Sequence, residues 1–153
     1  MMKTFKKIVF WVCVSFVIIQ FIPIDTTNKP VDKSINFIDV KKPPQKVVAL
    51  LRNACYDCHS NETVYPKYAY IAPFSWSVKD HVNEGREHLN FSVWSSYNKD
   101  LKESMVNKAV QTLQNKTMPL PAYIVYHDEA NISDAERATL IKYFEEMLKT
   151  KSY

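Results

Sequence analysis

Cys55-Tyr56-Asp57-Cys58-His59 is the stretch from which the rest of the chain can be read. Two thiols three positions apart lie on one side of a helical turn, and an imidazole follows directly. This C-x-x-C-H spacing is that of covalent c-type haem attachment. Cys55 and Cys58 are thereby expected to carry one haem c through thioethers to its two vinyl groups. His59 then sits beneath the ring as the proximal axial iron ligand. A structural zinc site would need a second ligand pair, and the remaining cysteine, Cys13, lies in an apolar N-terminal run. A thioredoxin-type dithiol would need alternating strand and helix patterns, which the chain lacks.

Upstream, Pro43-Pro44 opens a helix in the manner of proline at a first turn. Val47, Val48, Leu51 and Ala54 continue it at helical spacing, so the cysteines arrive at its C-terminal end. Further upstream, residues 25–42 carry Pro30 with several lysines and threonines, and read as a tether. A short apolar patch there, Ile35, Phe37, Ile38 and Val40, leaves open whether the segment docks on the domain.

The chain begins with Lys3, Lys6 and Lys7, followed by an almost wholly apolar run over residues 8–24. Positive charge before an apolar segment is an export signal. Signal peptidase favours small residues, and the first alanine is Ala49. The expectation is therefore an uncleaved N-terminal membrane helix, lysines inside and the domain on the periplasmic, outer side. A cleaved signal ending near Thr26 or Thr27 is the alternative for residues 1–24. A lipid anchor on Cys13 would leave too short an apolar run before it.

Downstream of His59, Tyr65, Tyr68, Tyr70, Phe74 and Trp76 share a loop with Pro66 and Pro73. Prolines without strand alternation argue for irregular structure. Its rings are expected either to cover a porphyrin edge or to serve as ordinary core aromatics. The Pro73 carbonyl is the expected acceptor for the His59 Nδ1 proton. Ser75 is the expected cap of a helix running toward Gly85 and His88. Asp100-Leu101-Lys102-Glu103 has the form of a capping box. After it, Leu101, Met105, Val106, Ala109, Val110 and Leu113 make an amphipathic helix over residues 100–115, with Met105 in the core. Thr117-Met118-Pro119-Leu120-Pro121 ends that helix, because a residue before proline is pushed out of the α region. Ser133-Asp134-Ala135-Glu136 is a second capping box, opening a helix with Ala138, Ile141, Phe144, Met147 and Leu148 inward.

Composition narrows the function. The single glycine, Gly85, excludes Gly-rich phosphate loops. The net charge of +4 comes largely from the three leading lysines; without them 17 basic residues face 16 acidic ones. No basic stripe exists to engage nucleic acid. The sequons at Asn61, Asn90, Asn115 and Asn131 carry weight only in a eukaryotic secretory protein. His127 reads as a surface group.

The haem motif, the later Met-Pro and the C-terminal helix together resemble a small class I cytochrome c. More narrowly, Cys55 through Thr63 is similar to the bacterial haem-binding-domain family of c-type cytochromes. Ile71-Ala72-Pro73, Ser75-Trp76, His81-Val82-Asn83-Glu84-Gly85-Arg86, His88-Leu89-Asn90-Phe91 and Met118-Pro119-Leu120-Pro121 extend the similarity over residues 43–149. The resemblance implies an exported, membrane-associated haem protein and supplies no substrate. The fold expected is all-α, a cytochrome c-like helical domain over residues 43–153 around one covalent haem.

Two functions fit. One is single-electron transfer with redox partner proteins of a respiratory or other chain, with Met118 as the distal ligand. A thioether favours Fe(II), and the flanking prolines stiffen its loop. The other is a haem enzyme of peroxidase type, or a ligand sensor, with an open sixth position. His81 and His88, seven residues apart on one helix face, are the rival distal ligands. No acid-base pair for catalysis can be read from the sequence.

Overall fold

Apolar side chains recurring every three to four positions dictate helices almost throughout. The computed structural model, which describes residues 2–153, contains eight α-helices and no strand among those residues. They are α1 (Met2–Ile19), α2 (Phe37–Lys41), α3 (Gln45–Ala54), α4 (Tyr56–His59), α5 (Phe74–His88), α6 (Lys99–Gln114), α7 (Pro121–Ile124) and α8 (Asp134–Thr150). Short 3-10 turns fill several connections.

The core is built where α6 and α8 face each other. Met105, Val106, Val110 and Leu113 meet Leu140, Phe144 and Met147, and α3 closes the cluster with Val47, Leu50 and Leu51. The inward face of α8 holds Leu140 where the spacing suggested Ala138, which is exposed. Both ends of this packing are capped. Ser133 and Glu136 form the expected capping box on α8. The cap of α6 lies one position before Lys99: Asn98 Oδ1 accepts from the Leu101 N–H at 2.8 Å, displacing the box read at Asp100. Helix α5 likewise starts at Phe74, and Ser75 is buried inside it instead of capping it.

Residues 25–42 are not a free tether. Phe37 is fully buried, its ring 5.0 Å from both Phe91 and Trp94. The Ser95 N–H donates to the Ile35 carbonyl at 3.0 Å, fixing the patch to the segment after α5. Aromatic side chains of this size dominate the burial energy of a small core. The apolar patch therefore belongs to the domain.

The apolar run expected to span a membrane over residues 8–24 folds instead as α1, which ends at Ile19. Among the described residues, no helix is long and apolar enough to cross a membrane. The three lysines occupy its first turns, and the lysine-free part from Ile8 to Ile19 rises only about 18 Å. A hydrocarbon core measures about 30 Å.

Candidate haem site

Helix α3 ends at Cys55, which is at once its C-cap and the N-cap of α4. The Cys58 and His59 N–H groups both donate to the Cys55 carbonyl, at 3.2 and 2.8 Å. The motif thus occupies a single helical turn, and this is what brings both thiols to one side. They open onto a cavity of about 270 Å³. Its walls are mostly apolar: Ala54, Leu89, Phe91, Met105, Leu113, Leu120 and Phe144 contribute, and His59 and Met118 also line it.

His59 is held by a backbone acceptor. Its Nδ1 lies 3.0 Å from the Leu89 carbonyl, which can only accept, so Nδ1 carries the proton and Nε2 keeps the lone pair. The acceptor is Leu89, at the C-cap of α5, and not Pro73 as expected. Burial holds the imidazole pKa below its ordinary value, against the opposing pull of the Leu89 carbonyl. The ring is therefore neutral at neutral pH, the form that binds a metal.

The two thiols are protonated. Burial, with Cys58 adding to it, pushes Cys55 up to about 12. Burial and Asp57 push Cys58 up to about 11. A zinc ligand or a redox-active dithiol needs thiolate, which these surroundings disfavour. No cluster of three or more His, Cys, Asp or Glu side chains suited to a metal ion is found among the described residues.

The motif's neighbours form a polar frame. Arg86 Nε donates to the Ser60 carbonyl at 2.8 Å, and its Nη2 reaches Asn28 Oδ1 and Thr63 Oγ1. Asn90 Nδ2 donates to Asn61 Oδ1, the Asn61 N–H to Ser92 Oγ, and the Ser92 N–H to Asn90 Oδ1. The sequons at Asn61 and Asn90 are thus buried network members. Tyr123 donates to Asp57 Oδ2 at 2.6 Å and stacks on His127 at 4.1 Å. His127 also bonds Tyr68, so it is no surface group. Fully connected buried networks of this kind hold one backbone arrangement.

Met118 comes from the connection between α6 and α7. Arg137, on α8, donates from Nη1 to the Met118 carbonyl at 2.6 Å. No sequence pattern marked Arg137, because its acceptor is a main-chain atom. Gly85 lies in the last turn of α5, where a Cβ would come to 2.6 Å from the Cys58 carbonyl oxygen. A lone glycine inside a helical pattern is the signal that it left.

His81 and His88 also face the cavity, with Glu84 between them. Their side chains are 45% and 75% exposed, and each lies about 4 Å from a Glu84 carboxylate oxygen. The aromatic loop does not reach the cavity: among the described residues, none between His59 and His81 lines it. Tyr70, Ile71 and Phe74 face outward instead.

A family model for the haem-binding domain matches residues 14–146. The chain belongs to the haem-binding domain family. Comparisons with curated proteins and with solved structures return no match. The cavity suits the family's cofactor. It is an apolar cavity lined by a neutral imidazole whose second nitrogen is already committed and by two protonated thiols. This member of the family is a haem-binding protein with an all-α fold.

Proposed function

We propose that this haem-binding protein is a c-type cytochrome carrying one covalent haem c and serving as a single-electron carrier outside the cytoplasmic membrane. The observation that carries this reading is the meeting of Cys55, Cys58, His59 and Met118 in the lining of one apolar cavity. Cys55 and Cys58 would hold the porphyrin by thioethers, His59 Nε2 would bind iron, and the Met118 thioether would be the second protein ligand to iron. The bound haem contributes an iron that cycles between two oxidation states.

The chain's own residues set the conditions. Leu89 fixes the His59 tautomer and raises the ligand's basicity. Leu113, Leu120 and Phe144 exclude water, which disfavours the more highly charged oxidised state. Arg137 fixes the backbone of Met118, so less entropy is lost when its sulfur ligates.

Met118 is preferred to His81 and His88 on placement. Both histidines belong to α5, the helix that packs on α4 through Gly85 and supplies the Leu89 acceptor to His59. An iron held from two sides needs its second ligand from another wall, and Met118 stands on the α6–α7 connection. The wide exposure of both histidines suits a place at the rim, near a porphyrin carboxylate. The partners on this reading are redox proteins that dock over the exposed edge of the cavity.

The test is the visible and near-infrared spectrum of the purified oxidised protein, repeated on Met118→Ala. A Met-to-iron charge-transfer band lost in the variant, with new carbon monoxide binding, supports the carrier. An unchanged spectrum removes Met118 from the iron, and rapid peroxide turnover by the wild type makes the protein an enzyme.

A further inference from the structure

An exposed apolar surface along α1 has no part in the haem site. Helix α1 is exposed all round: Phe10, Trp11, Val12, Phe16, Val17 and Ile18 each show about half or more of their surface. Its lysine-free part, from Ile8 to Ile19, is apolar except for Ser15, and so much exposed apolar surface has to be covered by something. The chain leaving it is not loose. Gln20 pairs with Ala72 twice, its Oε1 accepting from the Ala72 N–H and its Nε2 donating to the Ala72 carbonyl, both at 3.0 Å. Two residues on, the Ile22 carbonyl accepts from the Trp76 indole N–H at 3.2 Å.

These bonds bring the aromatic loop beside the end of α1. Phe21 and Ile22 there are 82% and 56% exposed, and Tyr70, Ile71, Phe74 and Trp76 extend the same surface at 63, 47, 60 and 37%. Such residues scattered singly would need no explanation, but a joined group of them marks an interaction surface. Its composition is that of an interfacial belt: ringed side chains whose polar tips are satisfied or wet. At the far end of α1 stand Lys3, Lys6 and Lys7, complementary to anionic headgroups.

We infer that Phe21, Ile22, Tyr70, Ile71, Phe74 and Trp76 form a foot that seats the haem domain on a phospholipid surface beside α1. The helix and the foot form one docking surface, joined by the Gln20–Ala72 and Trp76–Ile22 bonds. The domain is then fixed in orientation relative to the lipid instead of swinging on a tether, because the residues following α1 are bonded to it. The foot contains no residue that lines the haem cavity, so this inference stands independently of the electron-carrier reading.

Depth-dependent quenching of Trp76 is the test. The chain has three tryptophans, of which Trp94 is buried, so Trp11→Phe leaves Trp76 as the exposed emitter. The full-length Trp11→Phe protein is mixed with vesicles of phosphatidylethanolamine and phosphatidylglycerol carrying lipids brominated near the headgroup. The same is done with Trp11→Phe/Trp76→Phe as the baseline. The foot predicts a blue shift and loss of most of the Trp76 emission, strongest with shallow bromines and absent from the baseline protein. Vesicles that bind the protein while leaving Trp76 emission unchanged would overturn it, leaving α1 alone in contact with lipid. Failure of the full-length protein to float with the vesicles would overturn it as well. A second variant, Phe74→Ser/Ile71→Ser, should reduce the quenching of Trp76 severalfold while leaving the visible haem spectrum unchanged.

Discussion

Arg137 holds the backbone of Met118 from across the molecule: its Nη1 donates to the Met118 carbonyl at 2.6 Å and to the Leu113 carbonyl at 3.3 Å. One guanidinium on α8 therefore ties the end of α6 to the segment that carries the proposed sulfur ligand. Arg137→Leu keeps most of the packing volume and removes both donors. The expected cost is about 1–3 kcal/mol, since hydrogen bonds from charged donors are worth more than neutral ones. In chemical denaturation this is a lower midpoint at unchanged slope. The near-infrared band expected from Met118 ligation should also weaken in the folded variant. A merely structural arginine would lower the midpoint and leave that band at full strength.

Gly85 sets how closely α5 approaches the haem motif. Alanine is the better helix former by about 1 kcal/mol, so on propensity Gly85→Ala should stabilise α5. The added Cβ, however, meets the Cys58 backbone oxygen at 2.6 Å and the Cys58 Cβ at 3.0 Å. Backbone atoms in a hydrogen-bonded turn cannot swing aside as a side-chain tip can. Overpacking of this kind costs about 1–3 kcal/mol, so the clash outweighs the propensity gain. Gly85→Ala should be less stable than wild type and retain less haem per polypeptide, measured by thermal melting and by the haem-to-protein absorbance ratio. A more stable variant with full haem content would show that α5 has room to move.

The capping box of α8 gives a dependence on acid. Glu136 has its pKa lowered from 4.5, first by its hydrogen bond with the Ser133 side chain and then by the Ser133 backbone N–H. A carboxyl whose folded pKa lies below its unfolded value adds stability above the unfolded pKa. That contribution disappears as pH falls from 4.5 through the folded value. Glu136→Gln should accordingly show a flatter loss of stability between neutral pH and that acid window than wild type does. Ser133→Ala should cost about 1 kcal/mol at neutral pH. Denaturation series at several pH values check both, and identical slopes for wild type and Glu136→Gln would exclude the carboxylate's role.

What could be read in advance follows from where the information sits. Leu101 at the start of the α6 stripe is exposed, but the stripe from Met105 to Leu113 and the Ser133–Glu136 box are side-chain patterns with short, fixed spacing, and each emerged at its expected place. The backbone acceptor of His59 did not, because a carbonyl at Leu89 leaves no residue-type signature. Phe37 was left undecided for a different reason. Its patch is too short for periodicity, and Pro43-Pro44 separates it from α3, so composition alone suggested a linker. The aromatic loop illustrates a third limit: ring content says that surface will be covered, but not by what. Tyr70, Ile71 and Phe74 are exposed, neither covering the cavity nor joining the core, the two places expected for the loop's rings. The apolar N-terminus showed its charge and hydrophobicity plainly, yet its α-helix stops at Ile19, and the N–H groups of Gln20, Phe21 and Ile22 bond three residues back in tighter turns.

The central claim is that Cys55 and Cys58 bind haem covalently, and its most direct measurement is extraction under denaturing conditions. The protein is unfolded in acid, extracted with an organic solvent that removes free haem, and the polypeptide is examined by intact mass and by its reduced pyridine spectrum. The account predicts that one haem remains on the wild-type chain and that Cys55→Ala/Cys58→Ala accumulates poorly and yields a chain without it. Because the apolar cavity is left open without the cofactor, loss of haem should also lower the stability of the fold. Haem that passes entirely into the organic phase, from a folded wild-type protein as stable as the double variant, would contradict the account.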